Sequence, residues 1–184
     1  WNFTYSGLEV GSITLRDGKW TGDSDNGLTH PYVEVLYDYI ATGDIDRDGS
    51  LESAIIINES GGGSGQFRHL LLFDRIDGRV VQAGDIALGD RIQVKSIRIK
   101  PGNLTTEIVR STGPLCCPDE VAVQEWELRG GALAMRPESV PPHPLTLDIL
   151  LGIEWTLVAS GAATDRTGAG DGPRSGHGAA PHGP

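Results

Sequence analysis

With 184 residues, of which 38% are hydrophobic, the chain carries enough apolar material for the core of one ordinary domain. Its formal net charge of −10 has the wrong sign for a nucleic-acid partner, whose phosphates need a basic face. No run of about eighteen uncharged apolar residues occurs that would make a transmembrane helix. The acidity is uneven: Asp17, Asp23, Asp25, Asp38, Asp44, Asp46, Asp48, Glu9, Glu34, Glu52 and Glu59 crowd the N-terminal third against Arg16, Lys19 and Arg47. Cations or a basic protein surface are therefore the expected counterparts. Trp1 is not a translation start and Met135 is the only methionine, so we expect a signal segment upstream and a periplasmic or extracellular location.

In chain order, residues 1–136 read as one all-β domain, an antiparallel meander forming a sandwich or a partly open barrel. Asp17-Gly18 is the first hairpin signal, and Asp77-Gly78, Pro101-Gly102-Asn103 and Gly130-Gly131 repeat it. Each supplies residues that tolerate positive φ. Gly22-Asp23-Ser24 looks like the nucleophile block of one esterase class, but the downstream Asp-x-x-His that this class needs does not occur in the sequence, and hydrolysis is the least favoured reading.

The most specific signal follows at Gly43-Asp44-Ile45-Asp46-Arg47-Asp48-Gly49-Ser50-Leu51-Glu52. Three aspartates at alternate positions before a glycine converge their carboxylates on a hard cation, and the glycine permits the sharp turn. We expect Ca2+, held by Asp44, Asp46, Asp48, Ser50 and Glu52, in a structural role. The bidentate glutamate of an EF-hand is replaced by Ile55 and a strand follows instead of a helix, so the loop belongs with those of propeller-type repeats. An acidic turn without an ion is the plainer alternative.

Ala54-Ile55-Ile56-Ile57 and Leu70-Leu71-Leu72-Phe73 are unbroken apolar runs, as expected of central strands covered on both faces. Gly61-Gly62-Gly63-Ser64-Gly65 between them lacks the Lys-Ser/Thr of a phosphate loop and feeds a strand over 66–74, so it reads as a hairpin loop. The histidines (His30, His69, His143, His177, His182) form no metal spacing, and His69 on its apolar strand reads as a satisfied core residue. In 91–100, Ile92 and Val94 face inward, and after a one-residue slip at Ser96 so do Ile97 and Ile99, which predicts a bulge. In 120–128 the same reasoning places Val121 and Val123, then Trp126 and Leu128, inside.

Cys116-Cys117 are the only cysteines. In an oxidising compartment a bond between neighbours closes a strained eight-membered ring, the reading we favour, with intermolecular pairing or a reduced pair as alternatives. Redox catalysis is disfavoured because the two intervening residues of thioredoxin-like sites are missing.

Residues 137–144 are a proline-rich connector, stiff and extended. Leu145, Leu147, Ile149, Leu151, Ile153, Trp155 and Leu157 then occupy every second position, so 145–159 reads as an amphipathic strand, or a short surface helix, that contacts a partner. Residues 160–184, rich in Gly, Ala, Pro and His, are too poor in apolar groups to fold alone and order only on a partner.

Thr4-Tyr5, Ile13-Thr14-Leu15 with Asp17-Gly18, the 43–52 loop, Gly62-Gly63-Ser64-Gly65-Gln66-Phe67, Leu88-Gly89-Asp90-Arg91 and Cys116-Cys117-Pro118 together resemble, over about residues 3–135, an uncharacterised family of exported bacterial proteins and lipoproteins. The resemblance implies export and no activity. The sequence thus predicts a non-enzymatic, exported accessory or scaffolding subunit with an extended C-terminal arm. That arm would dock on other protein subunits of a larger assembly, with a membrane-bound respiratory or photosynthetic complex as one candidate host. A free calcium-dependent binder of ligand or glycan is the alternative.

Overall fold

The computed structural model describes residues 2–8, 11–24, 27, 29–137 and 140–146. The described residues are all-β, built from antiparallel sheets, one of them curled into a half-barrel. Among the described residues no helix is long and apolar enough to cross a membrane. Twelve strands follow in order: β1 Phe3–Leu8, β2 Gly11–Leu15, β3 Lys19–Thr21, β4 Tyr32–Gly43, β5 Glu52–Ser60, β6 Phe67–Ile76, β7 Arg79–Asp90, β8 Gln93–Lys100, β9 Asn103–Arg110, β10 Glu120–Arg129, β11 Ala132–Met135 and β12 His143–Pro144.

The strands stack in three layers. The middle sheet has the order β3-β4-β5-β6-β7, the second β11-β10-β9-β8 with β12 also on β10, and β1-β2 form a separate hairpin. Alternation of side chains across a strand splits the two apolar runs between two cores. Ala54, Ile56, Leu70 and Leu72 meet Ile97, Leu104, Ile108, Ala122 and Trp126 of the second sheet. Ile55, Ile57, Leu71 and Phe73 meet Tyr5, Ile13 and Leu15 of the hairpin. The expectation for β5 and β6 is borne out, and they pair directly, Ala54 with Leu72 and Ile56 with Leu70.

β4 packs on β8 and β7 on β11 at the two seams between sheets. A glycine sits at each: a Cβ on Gly43 would stand 2.6 Å from Cγ2 of Ile99, and one on Gly84 2.8 Å from Cβ of Leu133. The four hairpin signals all lie in turns, with positive φ at Asp17, Gly18, Asp77, Gly78, Gly102, Gly130 and Gly131.

The slip in β8 is real: Val94 opposes Ile108 and Ser96 opposes Glu107, leaving Lys95 as the extra residue. The slip expected in β10 is not. Its pairing with β9 runs unbroken from Glu120 to Trp126, Ala122 and Trp126 face the core, and Val123 is only half-buried. The reason is Gln124, a polar residue held inside because its Oε1 accepts from Thr106 Oγ1 at 3.3 Å, while Thr106 Oγ1 accepts from Trp126 Nε1 at 3.0 Å. With that polar chain satisfied, no bulge is required.

The hairpin is fastened by more than apolar contact. Tyr5 is fully buried and its hydroxyl donates to Asp85 Oδ2 at 2.7 Å. His69, as expected, is a satisfied residue: Nδ1 lies 3.2 Å from Asp85 Oδ1 and Nε2 lies 3.3 Å from Glu59 Oε2. Burial, then the bond to Asp85 and the negative charges of Asp85 and Glu59, push the Tyr5 phenol far above its ordinary value. A raised phenol stabilises the fold below the unfolded-state value near about 10 and loses that contribution as the pH rises beyond it, because the unfolded chain ionises first. Tyr5→Phe should cost about 1.5 to 3 kcal/mol at neutral pH. Urea titrations should also show the variant losing less stability than the parent between about pH 8 and about pH 11.

Candidate metal centre

The Asp-rich segment is the turn between β4 and β5, and its carboxylates fold back on its own backbone. Asp44 Oδ1 accepts from the Arg47 amide at 2.6 Å and Oδ2 from the Gly49 amide at 3.2 Å. Asp46 Oδ1 accepts from the Asp48 amide at 3.1 Å. Asp48 Oδ1 accepts from the Ser50 amide at 2.7 Å and its hydroxyl at 2.6 Å, and these bonds hold the Asp48 carboxyl below its usual range. Short side chains bonding to backbone two or three residues on are what make Asp the residue of such turns. Arg47, at φ +66, and Gly49, at φ +89, supply the left-handed steps.

The result brings Asp44, Asp46 and Asp48 together, with one oxygen from each within 4.8 Å of the others. Two oxygens on opposite sides of a calcium ion are separated by about twice 2.3 to 2.6 Å, so the three fit one hard cation. Ser50 and Glu52 are bonded to one another and to the turn. Ser50 Oγ donates to Asp48 and, at 3.1 Å, to Glu52 Oε1. Glu52 is fully buried, and its Oε2 accepts from the Ile45 amide at 2.7 Å. It holds Ile45 as a buried plug in the inner core.

The same turn reaches the second sheet. The Gly102 amide donates to Asp44 O at 3.0 Å, and the Arg47 guanidinium donates to Pro101 O at 3.4 and 3.3 Å. Gly102 carries no Cβ where one would stand 2.4 Å from Arg47 Nε. The candidate site is thus the corner at which the β4-β5 turn is bolted onto the β8-β9 turn.

Elsewhere the expectations fare unevenly. Cys116 and Cys117 are adjacent, exposed free thiols; the structure contains the pair but not the bond expected between them. A hydrogen bond with the Cys116 thiol raises the Cys117 thiol above its ordinary value. Of the alternating arm residues only Leu145 is described: it is half-buried, outside any strand, with its amide donating to Asp119 O at 2.8 Å. Leu147, Ile149, Leu151, Ile153, Trp155 and Leu157 lie outside the described residues. The connector contributes a strand that the sequence reading missed, His143 and Pro144 pairing with Val121 and Glu120. Gly61–Gly65 is a β5-β6 loop as expected, pinned by the Arg91 guanidinium on Ser64 O and Oγ. No family model, curated protein or solved structure matches the chain.

Burial raises the Glu52 carboxyl above its ordinary value, with repulsion from Asp46 and Asp74 in the same direction and the bonds from Ile45 and Ser50 against it. A raised carboxyl stabilises below the unfolded-state value, near about 4.3, and that contribution is lost as the pH rises through the folded value. In chelator, going from about pH 4 to about pH 7, Glu52→Gln should avoid the part of the stability loss that this group causes in the parent. The difference between urea midpoints at the two pH values, parent against variant, measures it.

Proposed function

We propose that this domain is an exported, non-catalytic platform, set rigid by one calcium ion at the β4-β5 corner, that presents its C-terminal arm to other protein subunits of a larger assembly. The observation that carries the reading is the convergence of the Asp44, Asp46 and Asp48 carboxylates on a turn that also bonds Pro101 and Gly102 of the other sheet. Crowded carboxylates repel one another, and an oxygen-coordinated divalent ion removes that repulsion while stiffening the corner. The arm leaves by strand pairing on β10, the mode by which an extended segment adds to a sheet edge.

A groove of about 600 Å³ beside the same turn favours a second reading, a calcium-dependent ligand or glycan binder. It is lined by Phe3, Leu51, Phe73 and Val80 with Asp74, Arg75 and Gln82. Its volume lies in the range of small-molecule sites.

Calcium at about a hundred times its dissociation constant should add about 2.7 kcal/mol, a rise in melting temperature of about 5 to 10 °C for a chain of this size. Asp46→Ala should lose most of that rise. Coincident melting curves of the parent protein with calcium and with chelator would contradict the site. Removing residues 137–184 should leave a folded, calcium-responsive core that no longer co-purifies with its assembly from the native source. Undiminished co-purification rejects the role given to the arm, and ligand-dependent melting of that core would favour the second reading.

A further inference from the structure

The β9-β10 connection, residues 111–119, is a stapled loop that holds the root of the arm. Asp119 closes its base: Oδ1 accepts from the Thr112 amide at 2.8 Å, Oδ2 from the Thr112 hydroxyl at 2.7 Å, and the Asp119 amide donates to Arg110 O at 3.1 Å. The remaining backbone group, Asp119 O, accepts from the Leu145 amide at 2.8 Å. That bond continues the pairing of Glu120 and Val121 with Pro144 and His143. At the tip of the loop Pro114 O accepts from the Cys117 amide at 3.1 Å and from the Ser111 hydroxyl at 2.7 Å. The peptide joining the two exposed cysteines is therefore the one whose N–H closes the 114–117 turn.

We propose that Cys116 and Cys117 form a thiol–disulfide switch that releases the root of the arm from β10 when the pair is oxidised. The oxidant is a small disulfide. One cysteine thiolate attacks it, forming a mixed disulfide and expelling a thiolate. The neighbouring cysteine thiolate then attacks the protein sulfur, closing the ring and expelling the second. Two electrons pass from the cysteine sulfurs to the small disulfide, and the two cysteine protons end on the two thiols released.

The Cα atoms of neighbouring residues across a trans peptide are about 3.8 Å apart, less than the about 4.4 to 6.8 Å of ordinary disulfides. Ring closure must therefore distort the Cys116–Cys117 peptide, and the turn bond from its N–H to Pro114 O is the first to go. Asp119 is two residues further on, so the disturbance reaches the carbonyl that holds Leu145.

This deepens the reading of the arm as the docking element, but it is testable on the full chain alone. The protein is treated with oxidised glutathione or with a reductant. Intact mass confirms loss of the two thiol hydrogens without dimer formation, and amide exchange at Leu145 is read in both states. Exchange should be about tenfold faster in the oxidised chain, unchanged at Ile56, and insensitive to treatment in Cys116→Ser. Equal exchange at Leu145 with the ring formed, or oxidation only to intermolecular dimers, overturns the proposal. Either result leaves the calcium-dependent melting untouched, so the two ideas fail separately.

Discussion

A strand buried on both faces cannot leave its polar side chains to water, and β5 is such a strand. Glu52, Asn58, Glu59 and Ser60 are all buried on it, and a buried polar group without a partner costs about 1 to 3 kcal/mol or more. Each is met by a different part of the chain. Asn58 is bonded by Arg68 and donates to Tyr32 Oη at 3.2 Å and Gln66 Oε1 at 2.8 Å, which ties β4 to the end of the glycine-rich loop. Ser60 Oγ accepts from the Gly62 amide. Glu59 pairs with His69, and through Asp85 that cluster reaches Tyr5 and fixes the outer hairpin. Glu52 anchors the acidic corner through Ile45 and Ser50.

That last partnership links architecture to the proposed activity. The Glu52 carboxylate is buried beside three others that are partly or fully exposed, and the proposed cation would relieve their mutual repulsion. Because Asp44 O and the Arg47 guanidinium also bond the β8-β9 turn, whatever binds the triad acts on the seam between the sheets and not only on one loop. An ion there would be structural in its effect even though it would be reached from solvent.

The parts of the fold legible in the sequence are those set by local chemistry. Hairpin turns follow from residues that accept positive φ, two-sided burial of β5 and β6 from unbroken apolar runs, and the β8 bulge from a break in parity. The acidic triad was legible for the same reason, its members alternating within one short loop. Non-local pairings were not. Gln124 points inward because Thr106, on the neighbouring strand, receives it, and period alone assigns such a residue to the surface. Nothing in the pattern of β1 and β2 says that they form a third layer, since that depends on which face of β5 is left to cover. The bonds that Glu52 accepts from the Ile45 amide and the Ser50 hydroxyl were not legible either, because spacing alone does not say that its carboxyl is buried. The arm's first strand was hidden by proline, which pairs here at the sheet's margin, where a missing N–H is tolerated.

The most direct test of the central claim is amide exchange at Ile45 and Gly102, one in each sheet's half of the corner, with saturating calcium and with chelator. If the ion locks the two turns as one unit, calcium slows exchange at both amides together. Exchange at both that does not respond to calcium would contradict it.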